Sequence, residues 1–240
     1  MSTSTATKTI LEIQNVTKRF GGLTAVNDAS FTVEQGKVTG VIGPNGSGKS
    51  TMFNLITGVD KPDSGRVLFR GENIAGKTSD AINRLGLGRT FQLTRLFPTM
   101  TVMENLTVVT KDSFTGAEER AEELLHNLGL SRLRNEYASN LSYGQQKLIE
   151  FLRLSMIDTD LILLDEPFAG VNPIMEKKLL EQMALWVEEG KTLLLTDHEM
   201  AIMMELCDTM YVFDYGQIIA SGTPSEVRAN QRVMEAYFGT

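Results

Sequence analysis

The chain has 240 residues and 42% of them are hydrophobic, which suffices for a compact core and excludes a disordered chain. Its formal net charge of -7 argues against a nucleic-acid-binding surface. The sequence has one cysteine, Cys207, so an internal disulfide is excluded, and we expect this residue to be small, buried and kept in a reducing cytosol.

The N-terminal residues Met1 to Lys8 carry no hydrophobic segment, so they do not resemble a secretory signal and are expected to form a frayed tail. No apolar run in the sequence approaches the roughly 20 residues that are needed to span a membrane. We therefore expect a cytoplasmic protein, and any action at a membrane would go through a partner protein.

The first predicted strands lie before a glycine-rich loop. Residues Ile10 to Val16 and Ser30 to Val33 are typical of strands on either side of the turn Gly21-Gly22. Phe20 lies between them and upstream of the glycine-rich loop. Its ring would either stack on a nucleotide base or remain a half-buried aromatic at the end of a strand.

The residues after the apolar strand Lys37 to Ile42 match G-x-x-x-x-G-K-[ST], the phosphate-binding loop of nucleotide triphosphatases. Its glycines let backbone N–H groups converge on phosphate oxygens, Lys49 can reach the outer phosphates, and the Ser50 hydroxyl can bind Mg²⁺. A predicted helix follows and ends at Gly58, and its N-terminal dipole also favours an anion. The residues predicted to bind the nucleotide are Gly43, Pro44, Asn45, Gly46, Ser47, Gly48, Lys49, Ser50 and Thr51.

Two further strands are predicted before the middle of the chain. One covers Arg66 to Phe69 and follows the turn Pro62 to Gly65. The other begins near Gly86 and is expected to deliver Gln92 at its end. The side-chain amide of Gln92 would there bind Mg²⁺ or position a water molecule, and the alternative is an ordinary surface glutamine.

Residues 100–155 carry few strand signals and are predicted to form a helical subdomain inserted in an α/β core. Thr99 or Thr101 is the expected N-cap of the first helix, and Ser142 is the expected N-cap of a later one. Between them, apolar residues at positions i, i+3, i+4 and i+7 form one face of a helix. This face consists of Ala121, Leu124, Leu125 and Leu128.

The apolar run Leu161 to Leu164 predicts a buried parallel strand whose C-terminal end presents Asp165 and Glu166. Ligands of open α/β sheets bind at this edge. Asp165 can hold the shell of Mg²⁺, usually through water, and Glu166 can act as general base toward the attacking water. Because a carboxylate at the end of a core strand is costly to desolvate, a functional role is favoured for both residues.

Beyond Glu166 we predict a helix from Pro173, a buried strand over Thr192 to Thr196 and a hairpin near residues 211–220. The strand delivers His198, which could stabilise charge on the γ-phosphate or be a structural histidine. The helix is expected to bury a face made of Leu180, Met183, Ala184 and Val187. Taken together, the candidate residues point to hydrolysis of a phosphoanhydride.

The motifs follow one another in the order found in the ATPase subunits of ATP-binding-cassette (ABC) transporters, which the chain resembles over residues 10–238. They are the phosphate loop, Gln92, the signature pentapeptide Leu141 to Gln145, the Asp165-Glu166 pair and His198. The resemblance implies the ABC ATPase fold, an α/β P-loop core with an antiparallel β subdomain and an inserted helical subdomain at about residues 100–155. All of this would form one nucleotide-binding domain over residues 1–240.

The same resemblance implies a head-to-tail dimer of ATPase subunits that encloses two ATP molecules and their Mg²⁺ ions. The phosphate loop of one subunit would face Ser142, Gly144 and Gln145 of the other, and Phe20 would stack on the base. ATP would close this dimer and hydrolysis would reopen it. The surface from Gln92 to Glu104 would dock a membrane permease, which would hold the subunit at the inner face of the cell membrane.

Several segments are similar to the branched-chain amino acid import ATPases, including Gly88 to Val102 and Glu235 to Gly239. Those importers generally pair two different ATPases, so the second subunit is expected to be a paralogue, with an identical chain as the alternative. The short segment between Leu106 and Glu118 also resembles the lipopolysaccharide-export ATPase, which remains the second interpretation. A non-transport relative is less favoured, since it would usually carry a coiled-coil insertion or a second cassette.

Three segments depart from the common family pattern. Tyr143 replaces the second glycine of the signature, and Asn172 stands where many members have aspartate. Asp197-His198-Glu199 differs from the commoner histidine-aspartate pair. None of these departures removes a catalytic group, so we expect an active ATPase.

Overall fold

The structure is a computed structural model that describes residues 8–90, 95–110 and 113–238. The strands are β1 (Thr9–Phe20), β2 (Leu23–Glu34), β3 (Val38–Ile42), β4 (Ser64–Phe69), β5 (Glu72–Asn73), β6 (Leu87–Arg89), β7 (Leu161–Asp165), β8 (Thr192–Thr196), β9 (Thr209–Asp214) and β10 (Gln217–Gly222). The α-helices are α1 (Lys49–Ile56), α2 (Ser79–Arg84), α3 (Val102–Thr107), α4 (Phe114–Asn127), α5 (Tyr143–Ser155), α6 (Pro173–Glu188), α7 (Met200–Leu206), α8 (Pro224–Ala229) and α9 (Gln231–Phe238).

Within the described ranges, the strands form two sheets of different character. The first has four antiparallel strands in the order β2-β1-β4-β5, and the second has six strands in the order β10-β9-β3-β8-β7-β6. In the second sheet β3 pairs in parallel with β8 and β9, and β7 pairs in parallel with β6 and β8. Because β3, β7 and β8 run in the same direction, the residues that follow them meet at one edge of the sheet.

The strands β3, β7 and β8 are buried along their full length, as their unbroken apolar sequences predict. Their side chains alternate between two cores. Leu161 and Leu163 pack with α1 and the antiparallel sheet, whereas Ile162 and Leu164 pack with the helices on the other side. The six-stranded sheet is therefore covered on both faces, and the predicted α/β fold with its antiparallel subdomain is confirmed.

The segment predicted to be helical contains α3, α4 and α5, joined by two 3₁₀ helices at Ser131–Leu133 and Ala138–Asn140. Ala121, Leu125 and Leu128 are buried, and Leu124 packs against the same core from a half-buried position. Of the two candidate caps for α3, Thr101 is the one used, since its side chain accepts a hydrogen bond from the Glu104 N–H.

The inner face of α6 is rotated relative to the predicted one. Its buried residues are Leu179, Gln182, Met183 and Trp186, of which the prediction contained Met183. The predicted Leu180 and Val187 pack against the core from half-buried positions, whereas the predicted Ala184 is exposed. Trp186 stacks on Phe151 with ring centroids 5.4 Å apart, and its indole N–H donates to the Ser155 hydroxyl at 2.8 Å. The prediction was based on the spacing of apolar residues, and it missed this face because a tryptophan and a glutamine occupy part of it. The Ser155 hydroxyl accepts hydrogen bonds from both side chains.

Two smaller predictions are confirmed in the C-terminal part of the chain. The hairpin consists of β9 and β10, which pair in antiparallel fashion. Cys207 is buried beside Met203 and Met210, and burial raises the pKa of its thiol to about 12. The thiol is therefore a packing residue rather than a nucleophile.

Candidate nucleotide site

The phosphate-binding loop leaves the end of β3 and turns into α1 through three glycines with positive φ, Gly43, Gly46 and Gly48. A Cβ atom on Gly43 would collide with the Phe213 carbonyl oxygen, and one on Gly48 would collide with the carbonyl oxygen of Ala25. Gly43 and Gly48 are therefore needed both for backbone conformation and for close packing against neighbouring strands, whereas Gly46 is needed for its conformation alone. Gly48 is also the N-cap of α1 and supplies no side-chain acceptor, so the first N–H groups of the helix stay available for an anion.

Lys49 folds back over its own loop. Its ammonium donates to the Gly43 carbonyl at 2.7 Å and to the Pro44 carbonyl at 2.9 Å. Burial lowers the pKa of this ammonium, and the negative charges of Glu166 and Asp165 partly oppose that shift. A bound phosphate would bring negative charge into direct contact with this half-buried cation.

A cavity of about 400 Å³ lies over the loop. Phe20 is 47% exposed beside it, with the Lys18 ammonium 5.2 Å from its ring centroid. The cavity brings together predicted residues from three parts of the chain. They are Phe20, Asn45, Gly46, Gly48, Lys49, Ser50, Thr51 and Glu166.

Four residues that belong to none of the sequence motifs, Leu23, Thr24, Ala25 and Tyr215, also line this cavity. Tyr215 lies on the turn between β9 and β10, has a positive φ of 42° and is almost fully exposed. A large aromatic residue at a solvent-exposed hairpin turn is the signal that would have identified it.

Asp165 ends β7 in a buried ion pair. Its Oδ2 atom accepts a hydrogen bond from the Arg89 guanidinium at 2.7 Å, and both side chains are nearly inaccessible. The other carboxylate oxygen, Oδ1, is buried and has no hydrogen-bond partner among the described residues. Such an unpartnered oxygen is suited to a cation or to water in the shell of a cation.

Glu166 follows directly and has a left-handed backbone with φ of 47°. Its N–H donates to the Thr196 carbonyl at 2.8 Å, which ties the turn to the end of β8. This conformation is uncommon for a residue other than glycine, and it places Glu166 in the lining of the cavity above Lys49.

Asp197 organises the neighbouring turn after β8. Its Oδ1 atom accepts hydrogen bonds from the backbone N–H groups of His198 at 2.7 Å and Glu199 at 3.0 Å, while Oδ2 accepts from Phe168 at 3.3 Å. The His198 side chain is 61% exposed and lines a different, more apolar cavity of about 750 Å³ with Met200, Met204 and Tyr237. His198 is thus at the predicted sheet edge but outside the lining of the phosphate-loop cavity.

The signature residues begin α5. The Ser142 side chain accepts a hydrogen bond from the Gln145 N–H, and the Gln145 side chain accepts one from the Ser142 N–H at 2.9 Å, a reciprocal capping box. Gly144 packs against the Met175 side chain, where a Cβ atom would lie 3.2 Å from Cγ. Among the described residues, none of these three lines the phosphate-loop cavity of its own chain.

Two of the departures from the family pattern, Tyr143 and Asn172, have local explanations. Tyr143 lies against Gly170, where a Cβ atom would approach the tyrosine ring to 3.1 Å, so the aromatic residue covers the turn after Glu166. Asn172 caps α6, and its Oδ1 atom accepts hydrogen bonds from the N–H groups of Ile174 at 3.1 Å and Met175 at 3.0 Å. An amide oxygen fulfils this capping role as an aspartate would.

The donor set for Mg²⁺ fits the residues that are present. The unpartnered Asp165 oxygen and the cavity-lining Ser50 are oxygen ligands, and a nucleotide-bound magnesium needs few protein ligands. Gln92, the third predicted ligand, lies outside the described residues, so its role stays a prediction.

No helix in the described part of the chain is both long and apolar enough to cross a membrane.

Comparison with known proteins identifies close relatives over nearly the whole chain. Residues 26–169 match the family model described as ABC transporter, and residues 217–240 match the model of branched-chain amino acid ATP-binding cassette transporters. The high-affinity branched-chain amino acid transport ATP-binding protein LivG of Salmonella typhimurium is 39% identical over 96% of this chain and 98% of its own.

Solved structures agree with this similarity. The structure of MJ1267, an ATP-binding cassette of an ABC transporter, is 36% identical, covers 97% of this chain and 100% of its own, and has a TM-score of 0.88. A dimeric structure of MJ0796, a bacterial ABC transporter cassette, is 25% identical, covers 89% of this chain and 98% of its own, and has a TM-score of 0.81.

Proposed function

The chain belongs to the ATP-binding proteins of ABC transporters, and we propose that it is the ATP-hydrolysing subunit of a branched-chain amino acid importer. The observation that carries this proposal is its 39% identity to a branched-chain amino acid transport ATPase over 96% of the chain. The match of residues 217–240 to a model of branched-chain amino acid cassettes supports the same assignment. Both observations favour the importer over the lipopolysaccharide-export alternative.

The phosphate loop binds the β- and γ-phosphates of ATP through its backbone N–H groups and the Lys49 ammonium. Ser50, Asp165 and Gln92 would hold a magnesium ion or its water shell, and the ion, when bound with the nucleotide, would neutralise phosphate charge. Phe20 stacks on the adenine base. The other loop residues surround the phosphates: Gly43, Pro44, Asn45, Gly46, Ser47, Gly48 and Thr51.

The Glu166 carboxylate accepts a proton from a water molecule as the water oxygen bonds to the γ-phosphorus. The bond between that phosphorus and the bridging oxygen of the β-phosphate breaks, and ADP and phosphate leave. His198 lies on the adjoining turn and stabilises charge on the γ-phosphate once the dimer has closed, because closure brings the two subunits' loops together over the nucleotide.

The partner is a second ATPase subunit arranged head to tail, so that Ser142, Gly144 and Gln145 of one chain complete the site of the other. Ser142 is exposed, and all three residues lie away from the cavity of their own chain, which supports this arrangement. The permease docks near Gln92 to Glu104 and holds the subunit at the inner face of the membrane. In this proposal the second ATPase is a paralogue.

Purification of the tagged chain from its native membranes tests the proposed transporter. We expect to recover a permease, a second and different ATPase chain, and ATP hydrolysis that increases with a branched-chain amino acid and its binding protein. Recovery of lipopolysaccharide-export permeases would instead identify the chain as a lipopolysaccharide-export ATPase. Recovery of no membrane protein would contradict both assignments.

The Glu166→Gln variant tests the catalytic assignment in the same preparation. We expect at least a ~100-fold loss in kcat for the site that contains this residue, because general-base catalysis contributes about 10²–10⁴-fold. ATP binding should remain, since the amide has nearly the size of the carboxylate. Wild-type turnover by this variant would contradict the role of Glu166.

A further inference from the structure

A buried lysine lies between the signature helix and the turn that carries Glu166. Lys147 is in the second turn of α5 and is 3% exposed. Its ammonium donates to the carbonyl oxygens of Glu166 at 2.8 Å, Pro167 at 3.1 Å and Ala169 at 2.9 Å. All three donors of the ammonium are thereby used on one short segment of backbone.

The backbone segment that accepts these hydrogen bonds, Glu166 to Ala169, begins with a residue in an uncommon backbone conformation. Glu166 has a φ of 47°, and its side chain must reach the cavity from this left-handed backbone. On the side of the sheet, the turn is held by the bond from the Glu166 N–H to Thr196 and by the bond from the Phe168 N–H to Asp197. Lys147 holds it from the side of the helical subdomain, so the turn is fixed from two directions.

The surroundings of Lys147 fit a buried cation. Burial lowers the pKa of its ammonium, and the negative charges of Asp197, Glu150, Glu166 and Asp165 oppose that shift. The Tyr143 ring lies 5.7 Å from the ammonium and covers it on the signature side. A neutral apolar side chain of similar length would leave three buried or half-buried carbonyl oxygens without this donor.

We propose that Lys147 is a positioning residue that holds Glu166 in its catalytic orientation and connects it to the signature end of α5. The proposal rests on the proposed function, because it concerns the base of that ATPase reaction. Ser142, at the start of the same helix, faces the nucleotide of the partner subunit in the closed dimer. A displacement of α5 on closure is therefore transmitted through one side chain to the base of the chain's own site.

The test compares Lys147→Met with Lys147→Arg in the purified assembly. Methionine keeps an unbranched apolar stem and removes the donors, whereas arginine keeps a cation with several N–H donors. We expect Lys147→Met to lose about 100-fold in kcat with KM for ATP changed less than about 3-fold, because a misplaced catalytic group lowers the rate of the chemical step. Lys147→Arg should recover at least a tenth of the wild-type kcat. Lys177→Met, which alters a lysine that is 79% exposed on α6, is the matched control and should have wild-type rates.

A double variant separates positioning from a general loss of structure. If Lys147 acts through Glu166, Lys147→Met should lower the residual rate of the Glu166→Gln protein less than about 3-fold. Multiplicative losses, or loss of ATP binding in Lys147→Met, would overturn the proposal. Wild-type kcat in Lys147→Met, together with inactivity of Glu166→Gln, would also overturn it while leaving the proposed function intact. If Lys147→Met does not fold, the test depends on Lys147→Arg. A Lys147→Arg protein with normal thermal stability and impaired kcat would count against the proposal, whereas a Lys147→Arg protein with near-normal kcat would support it.

Discussion

The two carboxylate oxygens of Asp165 have different surroundings. Oδ2 is held by Arg89, whose guanidinium also donates to the Asn54 side-chain oxygen at 2.8 Å and the Thr57 hydroxyl at 2.9 Å. Oδ1 is left without a hydrogen-bond partner among the described residues. Arg89 therefore connects the end of β7 to the helix that follows the phosphate loop, and it orients the oxygen proposed to hold the magnesium shell.

Replacement of Arg89 by methionine should destabilise the fold by about 3–5 kcal/mol, because it leaves a buried carboxylate without its cation. Arg84→Met is the control, since Arg84 forms a surface pair with Asp80 between exposed side chains and should contribute less than about 0.5 kcal/mol. The free energy of unfolding is measured by urea titration followed by circular dichroism. Equal stabilities for the two variants would contradict the importance of the buried pair.

At the scale of elements, three helices in the described part of the chain begin with the same reciprocal capping box. The pairs are Thr101 with Glu104 for α3, Ser142 with Gln145 for α5, and Thr223 with Glu226 for α8. In α3 and α8 the second residue of the box is a glutamate, Glu104 or Glu226. Hydrogen bonds from the backbone N–H and the hydroxyl of the threonine lower the pKa of this glutamate. In α5 the corresponding residue is a glutamine, so the start of the signature helix carries no titrating carboxylate at this position.

The cap of α3 predicts a pH dependence of stability. The folded-state pKa of Glu104 is lowered from its ordinary value of 4.5, so its contribution is present above the unfolded-state pKa and is lost as the pH falls through the folded-state pKa. The wild-type chain should thus be more stable than Glu104→Ala at pH 7, and the difference should shrink as the pH falls below about 4.5.

Glu104→Gln is the matched control for this prediction, because its amide retains the capping interaction and does not titrate. The stability difference between Glu104→Gln and Glu104→Ala should be the same at pH 7 and at low pH. The measurement is chemical unfolding at pH 7 and at the lowest pH at which all three proteins remain folded. A wild-type difference that does not change with pH would contradict the role of the charged cap.

At the scale of the whole molecule, the lining of the cavity over the phosphate loop does not include the signature residues of its own chain. Lys49, Ser50 and Glu166 line it, whereas Ser142 and Gln145 satisfy each other in a capping box elsewhere on the chain. An open cavity of about 400 Å³ leaves a bound nucleotide accessible to a second chain. This arrangement fits a site that is completed by association, as in the head-to-tail dimer proposed above.

Association should therefore depend on ATP and on slow hydrolysis. Addition of ATP and magnesium to the Glu166→Gln chain, together with the second ATPase if one co-purifies, should double the molecular mass measured by light scattering. ADP should leave the mass unchanged, because it lacks the γ-phosphate that the signature helix of the second subunit is proposed to contact. Lys49→Ala is the control and should remain monomeric with ATP. A monomeric Glu166→Gln protein at saturating ATP would contradict completion of the site in trans.

Much of the fold and of the candidate site could be predicted from the sequence because the signals are local. The glycines of the phosphate loop, the capping pair Ser142 and Gln145, and the apolar strand before Asp165 each report the backbone of a few consecutive residues. Parallel pairing of β3, β7 and β8 then gathers the residues after them at one edge, which is why the predicted Lys49 and Glu166 share a cavity.

The tertiary structure decided which side chains meet across long stretches of chain. Arg89 pairs with Asp165 from 76 residues away, and Lys147 contacts the turn of Glu166 from 19 residues away. The Ser155 hydroxyl accepts a hydrogen bond from Trp186 on the inner face of α6. These contacts depend on the packing of separate elements, and residue spacing carries no information about them. The sequence by itself therefore determined the chemistry of the nucleotide site, whereas the packing determined how its catalytic turn is held in place.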